Sequence, residues 1–205
     1  MRNKLGTLFM IVGAVLVFAA LALFCMNQSE AEEAAQASEQ IMPQIVRQIE
    51  DRTADVSDTA LPLSDPYDSD MTEVVIDGYS YIGYVSVPSL GIELPVMSQW
   101  DYDRLKIAPC RYSGSVKTDD LVIAGHNYRR HFGGLSRISE GDRVYFVDMD
   151  GNQFCYDVGE VEVLAPTAVE EMKSSGWDLT LFTCTYGGRT RLAIRCEKVP
   201  QKNAD

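Results

Sequence analysis

An uninterrupted run of uncharged, mostly apolar residues at 5–26 divides this chain of 205 residues into unlike parts. At ~1.5 Å per residue the run makes a helix of roughly 33 Å, long enough to cross a hydrocarbon core of ~30 Å. Arg2 and Lys4 precede the run, and the acidic segment NQSEAEE follows it. The positive-inside rule therefore puts residues 1–4 in the cytoplasm and everything after Met26 outside the cell.

A cleaved signal peptide is the alternative for this run, because its N-terminal flank is short and basic. The apolar core of a signal peptide is ~7–15 residues long, which is shorter than this one, and no small-x-small cleavage site directly follows. Cys25 could indicate a lipoprotein, but the preceding Phe24 is too bulky for that position. We therefore predict an uncleaved, single-pass anchor at 5–26.

Residues 27–70 carry 11 acidic and 2 basic side chains and are rich in Ala, Glu, Gln and Ser. Apolar residues recur there at helical spacing, with Pro43 between them: Ile41, Ile45, Val46 and Ile49. The pattern predicts a frayed amphipathic helix followed by an acidic linker. We interpret 27–70 as a stalk that holds the next domain away from the membrane.

Residues 71–205 have the size of one domain and consist mainly of short β-rich runs separated by turn residues. The runs are 81–88, 92–97, 120–126, 142–149, 153–164, 179–184 and 190–199, with short helix candidates near 100–106 and 131–138. Many strands and few helices predict an all-β closed barrel. The formal net charge of −12 argues against a nucleic-acid-binding protein, which needs a basic face.

Three residue types in this domain could form a nucleophilic site. His126 ends the apolar run LVIAGH, and Cys184 ends LTLFTC, so Cys184 lies either inside the barrel or at its mouth. Because a five-residue loop joins 179–184 to 190–199, these strands are expected to pair, with Arg191 near Cys184. On the second strand Arg191 and Arg195 share one face, whereas Cys196 is on the other.

A thiolate, an imidazole and a guanidinium together can break a peptide bond. The thiolate attacks the carbonyl carbon, and the imidazolium protonates the departing amine. The guanidinium donates hydrogen bonds to the developing oxyanion and lowers the pKa of the cysteine.

These segments resemble the sortase family of Gram-positive cysteine transpeptidases. The resemblance rests on LTLFTC, TRLAIR and IAGHN in the family's order, and it extends through GYVSVPSLGIELPV (83–96) and FGGLSRISEGDRVYF (132–146). It implies a sortase β-barrel at 71–205 with Cys184 as nucleophile, His126 as general acid and base, and Arg191 stabilising substrate and oxyanion. Arg189 and Arg195 are the alternatives for the arginine.

The resemblance also implies the reaction. A sortase cleaves an LPXTG-like sorting signal of a surface protein after its threonine, and forms a thioacyl intermediate on the cysteine. An amine from peptidoglycan or from a pilin lysine then takes the acyl group, so that the protein is anchored or polymerised. No metal or cofactor is needed. The expected location is the cell membrane, with the catalytic domain outside.

The same resemblance suggests residues that bind the substrate. Thr183 precedes the nucleophile, and the segment 165–178, which contains Ala165 and Trp177, joins the strands whose connection sets specificity in sortases. Thr183, Ala165 and Trp177 are the predicted substrate-binding residues. Glu170 and Glu171 resemble the calcium site of some class A members, but adjacent acids on a loop are usually just solvated.

The class within the family stays open. Asp65-Pro66-Tyr67 resembles the lid of the pilin-polymerising class C enzymes, in which the acid pairs with the arginine and the ring covers the cysteine. The alternative is a proline turn in an acidic linker. Class C enzymes usually also carry a C-terminal membrane helix, whereas this sequence ends in VPQKNAD.

Two other functions compete with transpeptidation. A cysteine peptidase would pass the same acyl-enzyme to water, and a non-catalytic assembly scaffold would keep the barrel without its chemistry. A scaffold has no need for Cys184, His126 and Arg191 together. The sequence cannot pair Cys110, Cys155 and Cys196 into a disulfide, although Cys196 is expected in the core.

Overall fold

The computed structural model describes residues 2–56, 71–174 and 176–200. The helices are α1 (Arg2–Val56), α2 (Tyr102–Leu105) and α3 (Val169–Lys173), with 3₁₀ turns at Pro88–Leu90 and Phe132–Arg137. The strands are β1 (Val74–Ile76), β2 (Tyr79–Val87), β3 (Ile92–Met97), β4 (Cys110–Ser113), β5 (Leu121–Gly125), β6 (Arg143–Asp148), β7 (Gln153–Leu164), β8 (Leu179–Cys184) and β9 (Arg191–Lys198).

Strands β2 to β9 form a closed barrel. The strand order is β2-β3-β4-β5-β8-β9-β7-β6, and β2 pairs with β6 to close the ring. The short β1 adds an antiparallel partner to the start of β2. The predicted all-β closed barrel is confirmed, and the two strands that the sequence did not predict are β1 and β4.

The barrel interior holds the main hydrophobic core. Alternation along each strand sends every second side chain inward, as the pleat requires. Leu121 and Ile123 of β5, Leu179 and Leu181 of β8, and Ile194 of β9 are all fully buried there. Cys196 lies in the same core, as predicted, and the structure has all five cysteines as free thiols.

Over residues 27–56, helix α1 is docked on the barrel and is not the frayed helix of a free stalk, whereas 57–70 lie outside the described residues. The helix runs without a break from the apolar segment to Val56, and its Ile41, Ile45 and Ile49 are buried against the outside of the barrel. Their partners are Tyr81 of β2, Met97 of β3 and other apolar residues of the same cluster: Ile76, Leu105, Ala108, Cys110, Ala124, Val147 and Met149. The helical spacing of these isoleucines indicated an apolar stripe, and the structure shows that the outer surface of the barrel covers it.

Pro43 lies inside helix α1, where the sequence predicts an interruption. Proline lacks an amide hydrogen and clashes with the preceding turn, which costs ~3 kcal/mol in a helix interior. The buried residues on either side, Ile41 and Ile45, supply the compensating contacts with the barrel. Tertiary packing therefore outweighs the local preference at this position.

Replacing Ile45 with alanine tests how firmly the helix is docked. Ile45 is fully buried, so the change should cost about 2–5 kcal/mol through lost contacts and the resulting cavity. Hydrogen exchange of residues 34–53 in the detergent-solubilised chain should accelerate accordingly. The matched control is Gln48→Ala on the exposed face, which should leave exchange unchanged. Equal exchange rates in the two variants would contradict the docked helix.

The first part of helix α1 has the properties of a membrane span. The helix is long and apolar enough to cross a bilayer, and its large apolar side chains from Leu8 to Met26 are exposed. Ala34 is the first buried residue of the helix among those whose burial is described, and it comes only eight positions after Met26, roughly 12 Å along the helix.

Candidate active site

The register of three neighbouring strands brings the predicted catalytic positions to one end of the barrel. Strands β5 and β8 are parallel, with Gly125 opposite Thr183, so the next residues, His126 and Cys184, follow on adjacent strands. Strands β8 and β9 are antiparallel, and Cys184 lies directly opposite Arg191. Directly opposed residues have Cβ atoms about 4.5–5.5 Å apart. The predicted pairing of these two strands is confirmed.

Cys184 lies on the outer face of the barrel, not inside it. Along β8, Leu179 and Leu181 point into the core, whereas Phe182 packs with residues on the outside. Alternation places Cys184 on the same face as Phe182. Arg191 shares this face because it is paired with Cys184. The thiol is half-buried, so a peptide can approach it from the outside.

The three candidate arginines have different environments. Arg195 is almost fully buried, and its Nε lies 2.6 Å from Glu162 Oε1 in an ion pair. Arg189 is exposed in the loop between β8 and β9. Arg191 is half-buried beside Cys184, and its Nη1 donates to the Gly188 and Thr190 carbonyls at 3.1 and 3.2 Å. These bonds to its own loop hold the guanidinium at the barrel end.

Arg195 has a structural contact that sequence reasoning missed. Its Nη2 donates to the Glu171 carbonyl at 2.8 Å, and its Nη1 lies 3.4 Å from the Met172 carbonyl and 3.0 Å from Thr180 Oγ1. These carbonyls belong to α3, in the segment 165–178. A buried guanidinium with donors in several directions thus fastens that segment to the barrel.

His126 is half-buried at the end of β5, and the Tyr128 ring stacks on it with centroids 4.6 Å apart. Burial lowers the pKa of His126, since the low-dielectric surroundings disfavour the imidazolium, and the nearby Lys106 lowers it further. Glu30 of helix α1 opposes this shift. His126 is therefore biased toward the neutral form and is a stronger acid once protonated.

The other histidine is unsuited to acid–base chemistry. His131 is fully buried under helix α1, and burial lowers its pKa to about 4. At neutral pH it is uncharged. Its Nε2 contacts Ser38 Oγ and the Ala34 carbonyl of helix α1 at 3.2 and 3.3 Å.

An aromatic surface extends from Phe182 away from the cysteine. Phe182 meets Tyr112 edge-on, with centroids 5.2 Å apart, and Tyr112 meets Trp100 in the same way at 5.5 Å. These rings line a cavity of about 130 Å³ together with Arg191 and with residues of 165–178, among them Ala165, Pro166 and Met172. Trp100 and Tyr112 also border a larger, more polar cavity of about 770 Å³ that contains Arg111 and Lys173.

The predicted substrate-binding residues have different positions relative to this cavity. Ala165 lines it. Thr183 is buried, and alternation puts its side chain on the face opposite to Cys184. Its role in binding the substrate stays a prediction. The ring of Trp177 lies against Gly159 of β7, where an added Cβ would be 2.6 Å from it. Trp177 is not one of the described residues that line the cavity.

Two other predictions concern the surroundings of the site. Asp65 and Tyr67, the possible lid, lie outside the described residues. Glu170 and Glu171 are in the first turn of α3. Within 2–56, 71–174 and 176–200 there is no cluster of three or more histidine, cysteine or acidic side chains arranged to hold a metal ion.

Sequence reasoning did not find Tyr112, Trp100 or Tyr128. Tyr112 belongs to β4, a strand of four residues whose mixed polarity gives no clear alternation. Tyr128 is two residues from His126 in a polar loop, and only the folded loop brings the two rings together. The aromatic residues Trp100 and Tyr102, within the helix predicted near 100–106, were the available signal for this aromatic surface.

The family model for the sortase domain matches residues 85–199, and the chain belongs to the sortase family. The matched span contains His126, Cys184 and Arg191. A curated relative, sortase A of Bacillus anthracis, is 29% identical over 124 residues, which are 56% of this chain and 59% of the relative. The chain thus matches less than two thirds of that protein's length.

Solved structures share the fold. Sortase C1 of Streptococcus suis has 27% sequence identity and a TM-score of 0.53 over 61% of this chain and 76% of that chain. A Clostridium perfringens sortase D5 transpeptidase has 14% identity and a TM-score of 0.57, over 82% and 99% of the two chains. The second likeness is one of fold alone, and the sortases found in this way belong to several classes.

Proposed function

We propose that this protein is a membrane-anchored cysteine transpeptidase, which cleaves an LPXTG-like sorting signal and transfers the new acyl end to an amine. The observation that supports this most directly is the strand register, in which Cys184 lies opposite Arg191 and one strand away from His126. Membership of the sortase family supports acyl transfer through a cysteine as the reaction class.

In the first half-reaction, the Cys184 thiolate attacks the carbonyl carbon of the threonine in the signal. Arg191 donates hydrogen bonds to the oxyanion of the tetrahedral intermediate. The carbon–nitrogen bond then breaks, and the His126 imidazolium gives its proton to the departing amine. The products are a thioester on Cys184 and a free C-terminal fragment. The lowered pKa of His126 favours this proton donation once the imidazolium is present.

In the second half-reaction, an amine attacks the thioester carbonyl. His126, now neutral, takes the proton from the attacking nitrogen, and the carbon–sulfur bond breaks to release the Cys184 thiolate. The new amide joins the surface protein to the acceptor. The acceptor is an amine of a peptidoglycan precursor or a lysine of a pilin subunit.

The apolar surface beside the cysteine suits an extended peptide. Phe182 and Tyr112 offer aromatic walls, and Ala165 and Pro166 border the same cavity from the segment 165–178. A cavity of about 130 Å³ accommodates one side chain of a sorting signal such as its leucine. Arg195 helps by holding α3 in place.

The location follows from helix α1. We propose that residues 5–26 cross the cell membrane once, with the N-terminus in the cytoplasm and the barrel on the outer surface. Sorting signals and acceptor amines are found there, and the partners are therefore secreted surface proteins or pilins and a cell-wall or pilin amine. The length and the exposed apolar side chains of the helix support this.

The test is a transfer assay on the full chain in detergent with an LPXTG peptide and increasing concentrations of an amine such as triglycine. We expect a ligated product that grows with amine concentration at the expense of the hydrolysed one, measured by mass spectrometry. Hydrolysis that is indifferent to the amine would identify a peptidase instead. Absence of any cleavage across sorting-signal variants would contradict an enzymatic function.

A further inference from the structure

Helix α1 lies directly on the loop that carries His126. Ala34, Ala35 and Ser38 of the helix are each at most 3% exposed. On the loop side, Arg130 forms ion pairs with Glu32 and Glu39, which flank these buried residues. The contact thus has a buried centre and a charged rim, and it involves the part of the helix next to the membrane span.

The centre of this contact is a hydrogen-bonded pair. Ser38 Oγ donates to the Ile107 carbonyl at 3.2 Å, so it accepts from His131 Nε2, also 3.2 Å away. The Ala34 carbonyl, 3.3 Å from Nε2, can only accept, which identifies Nε2 as the protonated nitrogen. His131 Nδ1 is buried and has no hydrogen-bond partner among the described residues.

Backbone hydrogen bonds link the two ends of the loop that runs from His126 to His131. The Phe132 amide donates to the His126 carbonyl at 3.0 Å, and the amides of His131 and Gly133 both donate to the Tyr128 carbonyl at 3.0 Å. A Cβ at Gly133 would lie only 2.5 Å from the Asn127 carbonyl oxygen, so the loop permits no side chain there. Because these hydrogen bonds join the backbone at His131 to the backbone at His126, a contact that fixes His131 also restricts the movement of His126.

Tyr128 connects the two histidine side chains. Its ring stacks on His126 with centroids 4.6 Å apart and an interplanar angle of 22°, and it lies 5.8 Å from the His131 ring. The orientation of the His126 imidazole thus depends on Tyr128, whose position depends in turn on the docked loop.

We propose that Ser38 and His131 are positioning residues for His126, so that the membrane-anchoring helix is itself part of the active-site framework. This inference rests on the proposed function, because it assigns a purpose to the orientation of His126. A fully buried imidazole bonded to the anchoring helix has no role in the bond chemistry. It does hold the acid–base residue at a fixed place relative to the thiol, and misplacement by about 1 Å can cost 100-fold in rate.

The test uses the full chain in nanodiscs and follows alkylation of Cys184 by iodoacetamide across pH, with peptide mapping to separate it from the other thiols. The profile at Cys184 depends on where the His126 imidazole lies relative to the thiol. Ser38→Ala should shift this profile toward that of His126→Ala and lower kcat for peptide cleavage about tenfold, with KM and melting temperature nearly unchanged. The matched control is Ser29→Ala, since Ser29 bonds only to its own helix at Met26 and should behave like wild type.

A second pair of variants distinguishes positioning from general stability. His131→Gln keeps an amide donor for Ser38 and should retain most of kcat, whereas His131→Leu should lose about as much as Ser38→Ala. Combining Ser38→Ala with His131→Leu should add little further loss, because both remove the same contact.

The outcomes separate this inference from the proposed function. Suppose that His126→Ala changes the pH profile of alkylation, whereas Ser38→Ala keeps the wild-type profile and the wild-type kcat. That result would overturn the positioning role and leave the proposed transpeptidase function intact. An unchanged profile in His126→Ala would contradict the pairing of His126 with Cys184, and both proposals would fall with it. If the variants lose kcat only in proportion to their loss of melting temperature, the contact between Ser38 and His131 stabilises the fold and does not position His126.

Discussion

Cys184→Ala is expected to abolish cleavage of sorting peptides, with a loss of roughly a million-fold, the size found when an activated nucleophile is removed. The thioester cannot form without the sulfur, and the other two residues on the outer face of β8, Thr180 and Phe182, carry no thiol. The half-buried position of Cys184 means that removing its sulfur costs little packing. The barrel should therefore keep its melting temperature, and cleavage measured by mass spectrometry should fall to background.

Cys155→Ala is the matched control for this loss. Cys155 is also half-buried and on a strand, but it lies on β7 beside Arg143, whose Nη1 is 3.4 Å from its sulfur. Its removal should leave cleavage and transfer at the wild-type level. Retained cleavage in Cys184→Ala, or a comparable loss in Cys155→Ala, would show that the nucleophile has been assigned to the wrong residue.

Much of the site could be predicted from the sequence because it depends on short-range geometry. The runs 179–184 and 190–199 are joined by a short loop, and the observed strands Leu179–Cys184 and Arg191–Lys198 pair through it. The position of His126 beside Cys184 could not be predicted from a short loop, because β5 and β8 are far apart in sequence and pair in parallel. Only the family resemblance connected IAGHN with LTLFTC, and the structure brings both segments to the same end of the barrel.

The position of Thr183 shows where resemblance and local geometry conflict. The similarity of its TC pair to that of the family placed Thr183 in the substrate groove. The pleat of β8 puts neighbouring residues on opposite faces, so Thr183 is buried when Cys184 faces outward. The alternation was visible in LTLFTC, whereas the part that Thr183 takes in substrate binding stays a prediction.

The docking of helix α1 could not be predicted from its own residues. The segment is acidic and contains Pro43, features that are typical of a linker, and the apolar stripe at Ile41, Ile45 and Ile49 indicates only that something covers it. The covering surface comes from separate strands, for example Tyr81 and Met97. The same holds for Ser38, because its partner His131 is 93 residues away.

Arg191→Ala should lower kcat by about 10²–10³-fold, the cost of losing one oxyanion-stabilising donor. The guanidinium lies opposite Cys184 in the strand register and cannot lose its charge, so it can donate to the oxyanion throughout the reaction. The loss should appear in kcat and kcat/KM together, since the interaction is made in the transition state. Arg191→Lys keeps the positive charge but lacks the planar guanidinium, so it should retain only part of the wild-type kcat.

Arg189→Ala provides the control that decides between neighbouring arginines. Arg189 is exposed in the same loop and carries the same charge, so its loss changes the local electrostatics without removing a donor beside the thiol. Its kcat should stay within about twofold of wild type, because an isolated surface charge contributes little. A larger loss in Arg189→Ala than in Arg191→Ala would transfer the oxyanion role to Arg189. An increase confined to KM in Arg191→Ala would mean that Arg191 binds the peptide without stabilising the transition state.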